Sequence, residues 1–297
     1  METFHRAAAL LATALAALVL AWTPPAAAQR FESGLLWRIE RGDAPPSHVF
    51  GTIHVSDPRV TRLPPPVSRA LDASRSVTVE AVLDPSSMLA LAKRMVFLDG
   101  RDLPGAVGAE LYEKTAALTA AMGLPEQAVR LFRPWAIALV LSAPRQDPRE
   151  ILDFVIASTV RGQGKPVYEL ESLEEQAELF EGMPDGDQVA MLRRAVESYE
   201  RMPSAIDRMI GLYLARDLAG MQRLVEEVAG GTADLKRLHE TFSRRLLNER
   251  NVRMAERMQP RLQEGGAFVA VGALHLYGGS GVLAELERRG WRVTREY

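Results

Sequence analysis

Two histidines stand in the same four-residue frame, Gly51-Thr52-Ile53-His54 near the start of the chain and Gly272-Ala273-Leu274-His275 near its end. Imidazole changes protonation near neutral pH and ligates divalent transition metals, so a repeated histidine frame points to proton transfer or metal binding. The chain has five histidines and 22 glycines among 297 residues, and random placement would give roughly 0.4 G-x-x-H matches. Each frame also follows an apolar run, Val49-Phe50 in one case and Phe268-Val269-Ala270-Val271 in the other, that reads as a short buried strand. Both imidazoles are then expected just past a strand end, where open α/β sheets bind their ligands. Taken singly, either histidine reads better as a packed residue; the pairing reverses that reading.

Four further residues carry groups of the right kind. Glu80 closes the β-branched run Ser76-Val77-Thr78-Val79, and its carboxylate faces either solvent or a polar pocket. In a pocket it could ligate a metal or accept a proton from bound water. Two imidazoles and a carboxylate, His54, His275 and Glu80, suit a divalent transition metal that keeps positions open for water. Glu171 ends the segment Lys165–Leu170 in a similar way, although a carboxylate just ahead of a helix is also favoured by the helix dipole alone. Arg250 and Asn251 fall in the helical stretch Leu246–Val252. Arginine there could clamp a carboxylate or steady an oxyanion, with asparagine orienting it, or it could belong to a solvated face. His48 and His239 have no such frame and read as structural or surface residues. The H-E-x-x-H, G-x-S-x-G, G-x-G-x-x-G and phosphate-loop patterns are absent.

These groups can meet only if the two ends of the chain share a sheet. Leu35–Arg41 and Ser47–Ile53 read as a hairpin, followed by a short helix opened by Pro64-Pro65-Pro66 and the strand Ser76–Glu80. Strand, helix and strand in succession form a parallel unit, which places His54 and Glu80 at one edge of neighbouring or near-neighbouring strands. Apolar spacings of three and four from Pro85 to about Arg161 predict helices, and Ser172-Leu173-Glu174-Glu175 matches a capping box. The end of the chain repeats the opening: the strand Ala267–Val271, the His275 frame, the helix Gly281–Arg289 and the strand Trp291–Glu296. The expected fold class is α/β (α+β), with a central mixed sheet from the N- and C-terminal segments, two G-x-x-H motifs at strand ends, and a large helical insert at about 85–265.

Residues 1–28 read as a signal peptide, with a basic start, an apolar stretch of about 16 residues and small residues at Ala26-Ala27-Ala28. Residues 29–297 form a single domain large enough for a packed core. The expected location is exported and periplasmic, with secretion a further possibility, and no membrane span after cleavage. There is no cysteine, so stability rests on the core. A formal charge of −2 with scattered basic residues argues against nucleic acid and anionic membranes, and for a peptide or small-molecule substrate.

The frames, together with Ser76–Glu80, Leu170-Glu171-Ser172-Leu173-Glu174-Glu175-Gln176, Leu246-Leu247-Asn248-Glu249-Arg250-Asn251 and Val271–Leu276, resemble the TraB/GumN family. That family includes PrgY-type pheromone shutdown proteins and is related to the Tiki metalloproteases. The resemblance runs from Leu36 to the end. It implies an α/β fold with both frames facing one site, a divalent metal, and peptide-bond hydrolysis as in the Tiki branch. By position, His54 and His275 would be the frame histidines, Glu80 the acidic partner and Arg250 with Asn251 the helix pair, while Glu171 matches the family's strand-end glutamate.

The function expected is a metal-dependent hydrolase that cleaves peptide bonds by metal-activated water. His54, Glu80 and His275 would hold Mn, Co or Zn, with Glu80 or Glu171 as base and Arg250 and Asn251 steadying the tetrahedral intermediate. The alternative is a non-catalytic periplasmic protein that binds or sequesters a peptide in the same cleft.

Overall fold

The run Ala267–Gly272 is apolar with no alternation, the pattern of a strand covered on both faces. It forms β5, at the middle of a six-stranded sheet in a computed structural model that describes residues 30–144, 146–230 and 244–297. The leader assigned to residues 1–28 lies outside the described residues, as does His239. The other strands are β1 (Leu36–Glu40), β2 (Ser47–Thr52), β3 (Ser76–Val79), β4 (Val167–Glu169) and β6 (Arg292–Arg295), in the spatial order β4-β3-β5-β2-β1-β6. The four strands from β4 to β2 are parallel, whereas β1 pairs antiparallel with both β2 and β6. The two ends of the chain therefore build one mixed sheet, as the sequence predicts.

Register fixes what this sheet presents. Gly51 stands beside Val271 and Thr52 beside Gly272, while Val77 and Thr78 stand beside Phe268 and Val269. Because β2, β5 and β3 are adjacent and parallel, His54, His275 and Glu80 all follow the same ends of three neighbouring strands. This is the crevice at which open parallel sheets gather ligands. The strand β5 separates β2 from β3, so His54 and Glu80 sit on near-neighbours.

One apolar cluster wraps the sheet, with Phe50, Val77, Val79 and Phe268 from the strands and Val67 and Leu71 from the helix Pro65–Ala73. The predicted insert divides between this core and two clusters of its own, the smaller one of Trp135, Ala136 and Ala177. Leu152, Ile156 and Val160 of the helix Leu152–Gly162, with Ile210, Tyr213 and Met254, pack onto the sheet. Leu103, Leu111, Val129, Ile137, Leu141 and Leu192 form a second cluster of their own. Among the described residues no helix is long and apolar enough to cross a membrane.

Candidate functional site

His275 is 4% exposed and sits in the short 3-10 turn that follows β5. Its Nδ1 lies 2.6 Å from Asn251 Oδ1, and the Asn251 Nδ2 donates to the Ser280 carbonyl at 2.8 Å. A carbonyl only accepts, so the Asn251 amide is oriented with its oxygen towards the ring. It follows that His275 carries its proton on Nδ1 and turns the Nε2 lone pair to the site. Burial holds the imidazole down at about 4, against the pull of Glu80, so it is neutral at pH 7.

Glu80, the residue after β3, is buried, so of its two predicted settings it occupies the pocket. The Gly272 amide donates to its Oε1 at 2.5 Å, and Arg250 Nη2 donates to its Oε2 at 2.9 Å. Burial by itself would raise the carboxyl; His275, Arg250, His54 and the Gly272 amide override it and hold Glu80 at about 2. With His275 neutral at pH 7, Arg250 is the buried cation beside the carboxylate. The His275 Nε2 and Glu80 Oε1 are 3.6 Å apart.

His54 is arranged in parallel with His275 but in the open. Its Nδ1 lies 3.0 Å from Asp153 Oδ2, while the Thr52 hydroxyl donates to Asp153 Oδ1 at 2.7 Å. A carboxylate only accepts, so the proton is again on Nδ1. Asp153 raises His54 to about 9, with burial opposing; the side chain is 60% exposed, so water screens the pair. Glu80 and Arg250 act on the titration of His54, and Arg250 and His54 on that of both Glu80 and His275, which marks the four as one electrostatic site.

A π-helical segment, Arg244–Glu249, precedes the α-helix Arg250–Arg257, where an uninterrupted helix is expected. A π turn carries one more residue than an α turn and re-phases the faces beyond it. Arg250, Arg253 and Arg257 then lie along one side, with Arg250 buried, Arg253 partly buried and Arg257 half-exposed. Arg250 Nε donates to Glu171 Oε2 at 2.7 Å, Arg253 Nη2 to Glu171 Oε1 at 2.5 Å, and Arg257 to both oxygens of Glu175. Glu171, the residue just ahead of the Ser172 cap of the helix Leu173–Glu181, is 1% exposed and enclosed by guanidinium groups. Its backbone N–H donates to the Glu80 carbonyl at 2.8 Å, tying the two acidic segments together.

The sheet and the helix Arg250–Arg257 thus bring Glu80, Glu171, Arg250, Asn251 and His275 together. Asp153 and Ser280 carry no motif and were missed, and Thr52, although inside the first frame, was given no role. Asp153 falls in the first turn of its helix, where an acidic residue is ordinary. His48, predicted structural, pairs with Glu296 at 3.2 Å away from the site.

The donor chemistry fits a divalent metal in part. Both imidazoles have Nδ1 committed to an oxygen, the arrangement that orients metal-binding histidines. The 3.6 Å between His275 Nε2 and Glu80 Oε1 is less than twice the ~2.1 Å ligand distance of zinc, so one ion could touch both. Among the described residues no three His, Cys, Asp or Glu side chains already surround a single point. His54, on the exposed side, is the member that would complete the set.

The metalloprotease TIKI2 of Danio rerio is 27% identical, covering 89% of this chain and 61% of that protein. The human metalloprotease TIKI1 is 26% identical, covering 88% of this chain and again 61% of the relative. The chain thus spans about three-fifths of the length of these relatives. The uncharacterized protein YbaP of Escherichia coli is 24% identical, over 78% of this chain and 84% of its own length. No solved structure matches. Residues 35–295 match the TraB/PrgY/gumN family, and the chain belongs to it.

Proposed function

We propose that the protein is an exported, metal-dependent hydrolase that cleaves peptide bonds. What supports this reading is that His54, His275 and Glu80 follow the same ends of three adjacent strands, with His275 Nε2 3.6 Å from Glu80 Oε1 and the Nδ1 of each imidazole against an oxygen. The names of the TIKI relatives support the chemistry. His54, His275 and Glu80 would hold a divalent ion such as Mn, Co or Zn. Such an ion supplies Lewis-acid polarisation of a carbonyl and water made acidic near neutral pH.

The chain's own groups divide the remaining work. Glu80 stays ionised at neutral pH and supplies the negative charge beside His275. Arg250 balances Glu80 and Glu171, and its cationic face next to Glu80 is placed to favour an oxyanion. Asn251 has both ends of its amide occupied, by His275 and Ser280, and so orients His275 instead of touching substrate. Glu171, enclosed by arginines, holds Arg250 in place. The base is therefore assigned to Glu80. The leader-like residues 1–28 support a periplasmic location and the near-neutral charge a peptide substrate.

Elemental analysis of the purified protein, with cleavage of a peptide library followed by mass spectrometry in added Mn, Co or Zn, tests the proposal. The expected result is one bound metal and peptide fragments, both lost in His54→Ala and His275→Ala. Turnover unaffected in the two variants overturns it. Saturation at one peptide equivalent with the peptide mass unchanged would identify a sequestering protein instead.

A further inference from the structure

We propose that Asp153 is a positioning residue for His54, holding the ring as its Nδ1–H form with Nε2 presented to the site. The inference rests on the metal-hydrolase reading and assigns to the helical insert a part in it. The first histidine frame is held from outside at three places. The Tyr213 hydroxyl donates to the Gly51 carbonyl at 2.8 Å. The Gln146 amide donates to the His54 carbonyl and accepts from the Ser56 N–H, each at 2.8 Å. Asp153 takes the Thr52 hydroxyl on one oxygen at 2.7 Å and the His54 ring on the other at 3.0 Å. All three partners belong to the segment between β3 and β5.

Among the described residues only Asp153 makes a hydrogen bond to the imidazole. With its side chain 60% exposed, the His54 ring has little packing to fix its rotation. The hydrogen bond at Nδ1 must therefore set both the tautomer and the ring plane. Asp153 is suited to this. Its neighbour Leu152 and the next-turn Ile156 are fully buried, which anchors the backbone. The first turn of the helix Leu152–Gly162 favours a negative charge. The Thr52 hydroxyl, itself buried, then fixes the rotation of the carboxylate. Removal of the acceptor leaves the ring free to turn and its proton free to distribute over both nitrogens.

The test uses the full chain labelled with 15N-histidine, with His54 assigned by comparison with His54→Gln. Ring nitrogen shifts are read above the His54 value of about 9, where the ring is neutral. Zinc, held in solution at this pH by a nitrilotriacetate buffer, is titrated into the same samples. Wild type is expected as Nδ1–H. Asp153→Ala should show a mixture of tautomers and bind zinc about 10–100-fold more weakly, the range found when a histidine's outer partner is removed. Asp153→Asn keeps an oxygen for the ring and should retain the tautomer and most of the affinity. Should Asp153→Ala fail to melt cooperatively, Thr52→Val, which frees the carboxylate to rotate, takes its place with a smaller change in the same direction. An Asp153→Ala ring still wholly Nδ1–H, or zinc affinity unchanged in it, overturns the assignment. A wild type that binds neither zinc nor, titrated likewise, manganese or cobalt sinks the hydrolase reading instead, and the ring nitrogens still decide the role of Asp153.

Discussion

Gly51 lies directly against Ala273: a Cβ built on Gly51 would stand 3.0 Å from the Ala273 Cα and 2.8 Å from Leu276 Cδ1. The two histidine frames therefore touch through their own residues. At the second frame a Cβ on Gly272 would stand 3.1 Å from Glu80 Oε1 and 3.5 Å from the His275 ring. Gly272 has φ −53, so its glycine is required for the approach of the Glu80 carboxylate and not for an unusual backbone. Both frames need glycine for the same reason, to let the three strand ends close on one another.

Gly51→Ala is accordingly expected to destabilise the fold. The methyl would meet a backbone carbon that no side-chain rotation can move, and overpacking of this kind costs about 1–3 kcal/mol. Urea unfolding monitored by circular dichroism should show a lower midpoint with an unchanged slope. An unaltered midpoint would mean that the frames do not pack together in solution.

Glu171 separates a structural from a chemical role. It accepts from Arg250 at 2.7 Å and from Arg253 at 2.5 Å, and only 1% of its surface is exposed. Glu171→Ala leaves two guanidinium groups facing a cavity, and breaking a buried pair in this way costs about 3–5 kcal/mol. Glu171→Gln keeps one acceptor and should cost less, in stability and in activity alike. A general base gives the opposite pattern, a glutamine variant that melts like wild type and has no turnover. Melting temperature and kcat measured on both variants decide between them.

The strands were legible because their signals are local: β-branched or apolar runs bounded by turns, with continuous apolarity marking β5 as central. The capping box at Ser172 and Glu175 is equally local and forms as read. Two kinds of feature were not legible. The contact between Thr52 and Asp153 spans 101 residues and carries no motif on the Asp153 side. The burial of Arg250 could not be read from an arginine-rich helix either, since the same spacing suits a solvated face. What decides it is the acidic segment Leu170–Glu175, brought against that helix by the pairing of β4 with β3.

Glu175 gives a pH dependence whose sign can be worked out. Its carboxyl is pulled from the ordinary 4.5 to about 2, first by the hydrogen bonds of Arg257 and then by the Ser172 amide, with burial opposing. A depressed folded-state value means that the stabilisation is complete above the unfolded value and disappears as pH falls through the folded one. The window is therefore between about 4.5 and about 2. The side chains of Arg257 and Glu175 are 39% and 33% exposed, so solvent screening limits the pair to about 0.5–1 kcal/mol. Glu175→Gln retains an oxygen for the Ser172 amide and so keeps the cap while losing the charge. It should be less stable than wild type by that amount at neutral pH and equal to it near the acid end of the window. Urea midpoints of both proteins across this range give the measurement, and a difference that stays constant with pH would assign the stabilisation to the cap, with nothing left for the ion pair.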